Sequence, residues 1–263
     1  MSPTQQSGQH SYQISTNARY AIHGFQNAKN PNKISLINLQ NHKTIRVLED
    51  NKALKNKVDA LNLSPKEFLK VDIGDVVLDA WMIKPKNFNP NKKYPIIFYV
   101  YGEPAGSTVQ DNWAGGDLWH QYLAQQGYVV MSIDNRGTRT PRGRDWRKSI
   151  YGQIGILAAH DQAAAAKQIF KTYPFIDTNK VGMWGWSGGG QMTMNCLFRY
   201  PDIYTSGLAV AFVADQRLYD NIYQERYMGL LEENKANYIA GSPITHAKNL
   251  QGDLMIIHGT GDD

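Results

Sequence analysis

From residue 94 onward the sequence alternates short apolar runs with longer amphipathic segments, and this alternation restricts the fold more than any other feature. Apolar runs bounded by glycine or polar turns predict buried strands, and the segments between them have helical spacing. Strands that are separated by helices pair in parallel. The predicted strands are YPIIFYVYG, GYVVMSID, KVGMWGW, SGLAVAFVAD and NLQGDLMIIHG, and the predicted helices are DLWHQYLAQQG, AAHDQAAAAKQIFKTY and GGGQMTMNCLFRYP. The sequence therefore predicts an α/β domain with a mostly parallel sheet and helices on both faces.

The first 60 or so residues follow a different pattern. ARYAIHGF, KISLINLQ and KTIRVLED are β-rich runs separated by polar turns, which predicts antiparallel strands. A further strand pair is predicted in EFLKVDIGDVVLDAWMIKP, with Gly74 at the turn. Because two or three strands do not close a core alone, the first part is expected to be a fragment of a larger β structure.

Composition excludes several classes of protein. With 263 residues, of which 42% are hydrophobic, the chain is long enough for one large α/β domain. A net charge of +5 gives no dedicated nucleic-acid surface. The basic stretch NRGTRTPRGRDWRK is interpreted as a structured loop that docks against another part of the protein. No apolar run reaches 18 residues, so no membrane span is predicted.

Two further features concern sulfur and metals. The single cysteine, Cys196, excludes an internal disulfide and falls on the apolar side of a predicted helix, where it is expected to be a small buried hydrophobe. Neither H-E-x-x-H nor clustered Cys/His spacing occurs, so neither a metal nor another cofactor is predicted.

Gly185, Ser187 and Gly189 spell G-x-S-x-G between a predicted strand and a predicted helix. In that context the motif forms a sharp turn that forces the serine toward positive φ and lifts its hydroxyl clear of the sheet. The glycines are required where strand and helix cross too closely for side chains. The helix N-terminus favours an oxyanion nearby. The segment is therefore predicted to present a nucleophilic serine.

A nucleophilic serine needs a base and an orienting acid, which follow it in the order Asp, then His. The carboxylates after the last predicted strand are Asp262 and Asp263. Among the seven histidines none follows Asp262, and His246 and His258 precede it, so both are expected to be hydrogen-bonding residues of a loop or strand end. The catalytic histidine is therefore expected to be missing from this sequence.

Several separated motifs resemble one known family. GWSGGG, with YVYGEP before it and YDNIYQERYMG and HGTGDD after it, is similar to the dipeptidyl peptidase IV branch of the prolyl oligopeptidase family of serine peptidases. RVLEDN resembles the end of that family's β-propeller. The resemblance implies a last propeller blade with its linker at 1–64 and an α/β-hydrolase domain at 65–263 that lacks its C-terminal part.

The resemblance also implies roles for individual residues. Ser187 would be the nucleophile and Asp262 the orienting carboxylate. Tyr101 would donate its hydroxyl to the oxyanion hole beside the backbone N–H of Gly188, a donor typically contributing ~3 kcal/mol to transition-state stabilisation.

Three residues would line the pocket for a small residue such as proline or alanine: Tyr219, Tyr223 and Val213. The two tyrosines are four apart, which predicts one helical face. Gln216 stands where the family usually has a tryptophan, and Gly188 stands where animal members have a tyrosine.

The leading hypothesis for the complete protein is a serine exopeptidase that releases N-terminal dipeptides, Xaa-Pro or Xaa-Ala preferred, through an acyl-enzyme. An acylaminoacyl peptidase, an oligopeptidase and a carboxylesterase are the enzyme alternatives. A catalytically silent binding protein with a hydrolase fold is the alternative of another class, and the chain as given is expected to be inactive without its histidine. The resemblance further implies peptide substrates, a homodimer of the complete protein and export to the periplasm or cell surface.

Overall fold

The computed structural model describes residues 6–113 and 117–262, and the chain divides into two compact units. The first unit combines Met1–Lys66 with Gln110–Tyr122, and the second combines Glu67–Val109 with Leu123–Asp263. The predicted domain boundary at residue 64 stays a prediction. The segment Gln110–Tyr122 groups with the first unit, whereas the predicted boundary places it in the hydrolase domain. Asp263, the second acid of the predicted pair, lies outside the described residues.

The first unit contains a four-stranded antiparallel sheet in the order β1-β2-β3-β4, followed by a short helix. Its elements are β1 (Gln9–Ile14), β2 (Tyr20–Asn27), β3 (Asn30–Asn38), β4 (Thr44–Glu49) and α1 (Lys52–Asp59). The sequence predicts β2, β3 and β4 but not β1, because QHSYQI is mostly polar and gains its strand character by pairing with β2. A four-stranded antiparallel sheet is the form of a propeller blade.

The second unit is built on a seven-stranded sheet in the order β11-β10-β9-β7-β8-β6-β5. Its strands are β5 (Lys66–Asp72), β6 (Val77–Ile83), β7 (Tyr94–Tyr99), β8 (Val129–Asp134), β9 (Ile176–Trp186), β10 (Ser206–Val210) and β11 (Asp253–Ile257). The strands β7 to β11 pair in parallel, and β6 pairs antiparallel with β8. The prediction of an α/β fold with a mostly parallel sheet is confirmed.

Helices follow most of the parallel strands. They are α2 (Leu118–Gln125), α3 (Gly143–Lys148), α4 (Leu157–Thr172), α5 (Gly188–Arg199), α6 (Asn221–Met228) and α7 (Leu231–Gly241). The sequence predicts α2, α4 and α5, whereas α1, α3 and α7 were not recognised because they are short or lack an apolar stripe. Two 3₁₀ segments, Gln216–Leu218 and Pro243–Asn249, flank α6 and α7.

The core of the second unit lies between the parallel strands and the helices that cover them. Alanines on α4 allow that helix to lie close against its neighbours, and Cys196 on α5 is fully buried, as predicted. Burial raises the pKa of the Cys196 thiol to about 12, so it stays a neutral thiol. At one edge of the sheet β11 behaves differently, because its apolar residues Met255, Ile256 and Ile257 are exposed.

The parallel strands place four loops at one edge of the sheet. The loops follow β7, β9, β10 and β11. Together with the first turns of α5 and α6 they carry every residue for which the sequence predicts a catalytic or pocket role. The carboxyl-terminal edge of a parallel sheet is where such folds bind ligands.

Candidate active site

Ser187 lies at the turn between β9 and α5 in the strained conformation that its motif predicts. Its φ of 58° and ψ of −121° are unusual for a residue with a Cβ. Its N–H donates to the Val210 carbonyl at 2.9 Å, and its carbonyl accepts from Gln191 N–H at 3.1 Å. These bonds to β10 and α5 fix the serine, half-buried, at the edge of the sheet.

Close packing around the serine explains the glycines of the motif. A Cβ at Gly185 would lie 2.5 Å from the Gly189 carbonyl carbon, and a Cβ at Gly189 would overlap the Val100 carbonyl oxygen. Cβ atoms do not approach other atoms this closely. The prediction that both glycines serve a tight crossing of strand and helix is confirmed.

The N-terminus of α5 begins at Gly188, directly after the serine, and no side chain caps it. Its first N–H groups and the positive end of the helix dipole therefore face the region around the serine hydroxyl. This arrangement is suited to stabilising an oxyanion.

Tyr101 follows β7, and its backbone runs beside the same helix start. Its Cα would lie 3.3 Å from a Cβ placed on Gly189. Burial raises the pKa of Tyr101, and Glu103 and neighbouring tyrosines add to the shift. The phenol therefore stays protonated at neutral pH and can donate a hydrogen bond.

Tyr219 and Tyr223 lie in contact, with ring centroids 5.8 Å apart and ring planes at 80°. The prediction that they share a helical face is wrong, because Tyr219 has an extended backbone and α6 begins only at Asn221. The Asp220 carboxylate caps that helix by accepting from Tyr223 N–H at 2.8 Å. Asp220 therefore separates Tyr219, which follows the 3₁₀ segment, from Tyr223, which lies in α6. The four-residue spacing of the tyrosines does not reveal this break.

Val213 lies half-buried in the loop between β10 and the 3₁₀ segment Gln216–Leu218. Gln216, in that 3₁₀ segment, is fully buried. Its amide donates to the Ile154 carbonyl at 3.0 Å, and its backbone N–H donates to Ser242 Oγ at 2.9 Å. Gln216 therefore ties the loop after β10 to the rest of the unit.

Glu103 belongs to the candidate site by position, although the sequence does not single it out. It is only 2% exposed, and its Oε2 accepts a hydrogen bond of 2.5 Å from the Tyr223 hydroxyl. Burial raises the pKa of Glu103 to about 7, although the bond from Tyr223 opposes the shift. The signal available in the sequence is a carboxylate between Gly102 and Pro104 in YGEP, a turn directly after a buried strand.

Asp262 lies in the loop after β11, where the sequence places it, and is exposed. Its Oδ2 is 3.7 Å from Nε2 of His258, whose ring contacts Phe212 edge-on. His246 instead donates a hydrogen bond from Nε2 to the Ala240 carbonyl oxygen at 2.9 Å. Among the described residues no histidine is hydrogen-bonded to the Ser187 hydroxyl.

The basic stretch after β8 docks within the second unit, as predicted. Arg136 donates two hydrogen bonds to the fully buried Asp161 of α4, at 3.0 and 2.7 Å, and one to Asp75 at 2.8 Å. Arg142 lies over the Trp146 ring, 3.8 Å from its centroid. These side chains are engaged in packing.

Across residues 6–113 and 117–262, no group of three histidine, cysteine or acidic side chains is placed to hold a metal ion. Over the same residues no helix has the length and apolar character of a membrane span.

A mostly parallel sheet that presents a serine at a strained strand-to-helix turn defines the α/β-hydrolase class of protein. Comparison with known proteins gives the family. The sequence profile of the prolyl oligopeptidase family matches residues 117–263. The chain belongs to the prolyl oligopeptidase family.

Named relatives agree with this assignment. The chain is 34% identical over 256 residues to dipeptidyl peptidase 4 of Trichophyton equinum, an alignment that covers 95% of this chain and 33% of the relative. It is 37% identical over 227 residues to dipeptidyl peptidase 4 of Arthroderma otae, covering 84% of this chain and 29% of that protein. The chain thus spans about a third of the length of these relatives.

A solved structure shows the same fold. The crystal structure of Porphyromonas gingivalis dipeptidyl peptidase 4 superposes with a TM-score of 0.92 at 38% identity, covering 98% of this chain and 36% of that chain. The second unit matches its hydrolase domain, and the N-terminal antiparallel sheet fits the remnant of a propeller blade.

Proposed function

We propose that the protein containing this chain is a serine exopeptidase that releases dipeptides from peptide N-termini, with proline or alanine as the second residue. The observation that carries the proposal is Ser187, held at positive φ at the start of α5 in a chain whose relatives are named dipeptidyl peptidase 4. The contact between Tyr219 and Tyr223 supports an aromatic pocket for a small ring, with Val213 as a further lining residue.

In the proposed mechanism the Ser187 hydroxyl attacks the carbonyl carbon of the substrate's second residue while a general base accepts its proton. The resulting oxyanion accepts hydrogen bonds from Gly188 N–H and the Tyr101 hydroxyl. Collapse breaks the C–N bond, and the departing amine takes the proton from the base. Water then hydrolyses the acyl-enzyme by the same route and releases the dipeptide.

We infer that Asp262 orients this base and that the base is a residue outside residues 1–263. The inference is supported by the described histidines, of which His258 lies within reach of Asp262 but is not hydrogen-bonded to Ser187. A polypeptide of residues 1–263 alone is therefore expected to show only residual turnover, since losing a triad member costs ~10⁴-fold or more in rate.

The domain assignment belongs to the same proposal. Residues 1–64 would form the last propeller blade with its linker, and residues 65–263 would contribute to the hydrolase domain. We also infer that the complete protein is a homodimer, which light scattering after size-exclusion chromatography tests directly.

The function is tested on the complete gene product with Gly-Pro and Ala-Pro amides, the same amides carrying an N-acetyl group, and simple esters. Rapid cleavage of the free-amino amides and loss of cleavage on acetylation are expected. Ser187→Ala should lower kcat/KM by roughly 10⁴-fold or more. A fluorophosphonate probe should label the wild-type protein and spare Ser187→Ala.

Other outcomes would favour the competing functions. Preference for acetylated peptides or internal bonds would indicate an acylaminoacyl peptidase or an oligopeptidase, and cleavage of esters alone would indicate a carboxylesterase. A correctly folded complete protein that neither reacts with the probe nor cleaves any of these substrates would be a silent binding protein.

A further inference from the structure

Glu103 lies between the residue that follows the nucleophile and one of the pocket tyrosines. Its Oε2 accepts the 2.5 Å hydrogen bond from Tyr223, and its Oε1 is buried without a hydrogen-bond partner among the described residues. The carboxyl group therefore connects the loop after β7 to α6, directly beside the start of α5.

Gly188 is the other half of this arrangement. A Cβ at Gly188 would overlap Glu103 Cγ and lie 3.0 Å from Cδ and 3.3 Å from Oε1. The φ of Gly188 is not positive, so its backbone conformation does not require glycine. The space that a side chain at position 188 would need is filled by the Glu103 carboxyl.

We propose that Glu103 is a positioning residue of the substrate pocket, which holds the Tyr223 hydroxyl beside the nucleophile and requires glycine at position 188. This proposal rests on the proposed function. It assigns the space beside Gly188 to a buried carboxyl from the loop after β7.

The ionisation of Glu103 gives the arrangement a measurable signature. The titratable groups facing Glu103 are Tyr223 from α6 and Tyr101 from its own loop, and both phenols stay protonated at neutral pH. An ionised carboxylate accepts a stronger hydrogen bond from a phenol than a neutral acid does. As pH falls through about 7, Glu103 gains a proton and the hydrogen bond that it accepts from the Tyr223 hydroxyl weakens. KM should therefore rise.

The first test measures the pH dependence of KM and kcat for a Gly-Pro amide with the complete gene product. Glu103→Gln keeps the size of the side chain but cannot ionise. Its KM should be about threefold above the wild-type value at pH 8, and it should lack the rise in KM that the wild type shows as pH falls through about 7. Tyr223→Phe should raise KM similarly. Tyr227→Phe is the matched control, because the Tyr227 ring contacts Tyr223 edge-on while the hydrogen bond to Glu103 comes from Tyr223. Its KM should stay within about twofold of wild type.

The second test is a double-mutant cycle. Gly188→Ala should lower kcat/KM at least about tenfold when Glu103 is present and less than about threefold when position 103 is alanine, because the overlap involves only atoms beyond Cβ of Glu103. Equal effects in both backgrounds, or a Glu103→Gln variant with wild-type KM at every pH, would overturn the proposal. Absence of probe labelling and of turnover in the wild-type protein would overturn the proposed function instead.

Discussion

At the scale of the residue, Ser187 combines a reactive position with an unfavourable backbone conformation. A residue with a Cβ at φ 58° and ψ −121° stores about 1–3 kcal/mol of strain. Glycine relieves that strain but loses more backbone entropy on folding. We therefore expect Ser187→Gly to be more stable than Ser187→Ala by roughly 1 kcal/mol.

Thermal unfolding of the two variants measures this difference, since both lack the hydroxyl and differ only in the Cβ. Equal melting temperatures, or a more stable alanine variant, would show that the turn is not strained.

The glycines around the serine should tolerate substitution according to the space beside them. Gly189→Ala places a Cβ against the carbonyl of Val100, which directly follows β7 and is tied to β9 by a hydrogen bond from its N–H to the Trp184 carbonyl at 3.0 Å. The substitution should cost more than about 2 kcal/mol of stability. Gly261→Ala is the control, because a Cβ there would meet no described atom within 4 Å. Denaturant unfolding compares the two, and similar midpoints would contradict the packing argument.

The buried carboxyl of Glu103 links stability to pH. Its pKa rises from 4.5 to about 7 on folding, so between these values the folded state holds the proton more tightly than the unfolded chain. The free energy of unfolding should therefore fall by roughly 3 kcal/mol as pH rises from below 4.5 to above 7.

Glu103→Gln should remove this contribution, so its stability relative to wild type should increase between pH 5 and pH 8. Denaturant unfolding of both proteins at the two pH values measures this difference in the free energy of unfolding. Glu225→Gln, a change at an exposed acid, should follow the wild-type pH dependence.

At the scale of the element, the parallel strands and the three helices that cover them were predictable because strong apolar runs determine their own burial. β1 and α1 were not predictable, since their sequences are polar and β1 becomes a strand only by pairing with β2. The position of Ser187 follows from local glycine spacing. The contacts of Glu103 could not be predicted from the sequence, because its partners Gly188 and Tyr223 lie 85 and 120 residues further along the chain.

The ion pair between Arg136 and the buried Asp161 attaches the loop between β8 and α4 to α4 and should stabilise the fold. Asp161 is fully buried and accepts two hydrogen bonds from the Arg136 guanidinium. Arg136→Ala would remove this guanidinium and leave the carboxylate with the backbone N–H of residue 136 at 3.0 Å and His160 Nδ1 at 3.4 Å. We expect a loss of about 3–5 kcal/mol. Lys167→Ala, which breaks an exposed pair with Asp202 at 3.5 Å, should change the unfolding midpoint little. Comparable losses in the two variants would contradict this assignment.

At the scale of the whole molecule, the fold and the family relationship determine the class of protein, whereas the residues of the candidate site determine which reaction it catalyses. The α/β-hydrolase fold supports many chemistries, so the fold alone does not select a peptidase. The narrower choice depends on the residues proposed to line the pocket, Tyr219, Tyr223 and Val213, and on the proposed oxyanion donors, Tyr101 and Gly188. Their proposed roles are therefore the ones that the substrate panel and the variants of Ser187 and Glu103 address.

The exposed apolar strand β11 has a consequence for handling the protein. Its outer side pairs with no other strand among the described residues, and an unpaired hydrophobic edge is a template for association between chains. A polypeptide limited to these 263 residues should consequently form soluble oligomers or precipitate as its concentration rises, and a lysine in place of Ile256 should delay the onset of light scattering.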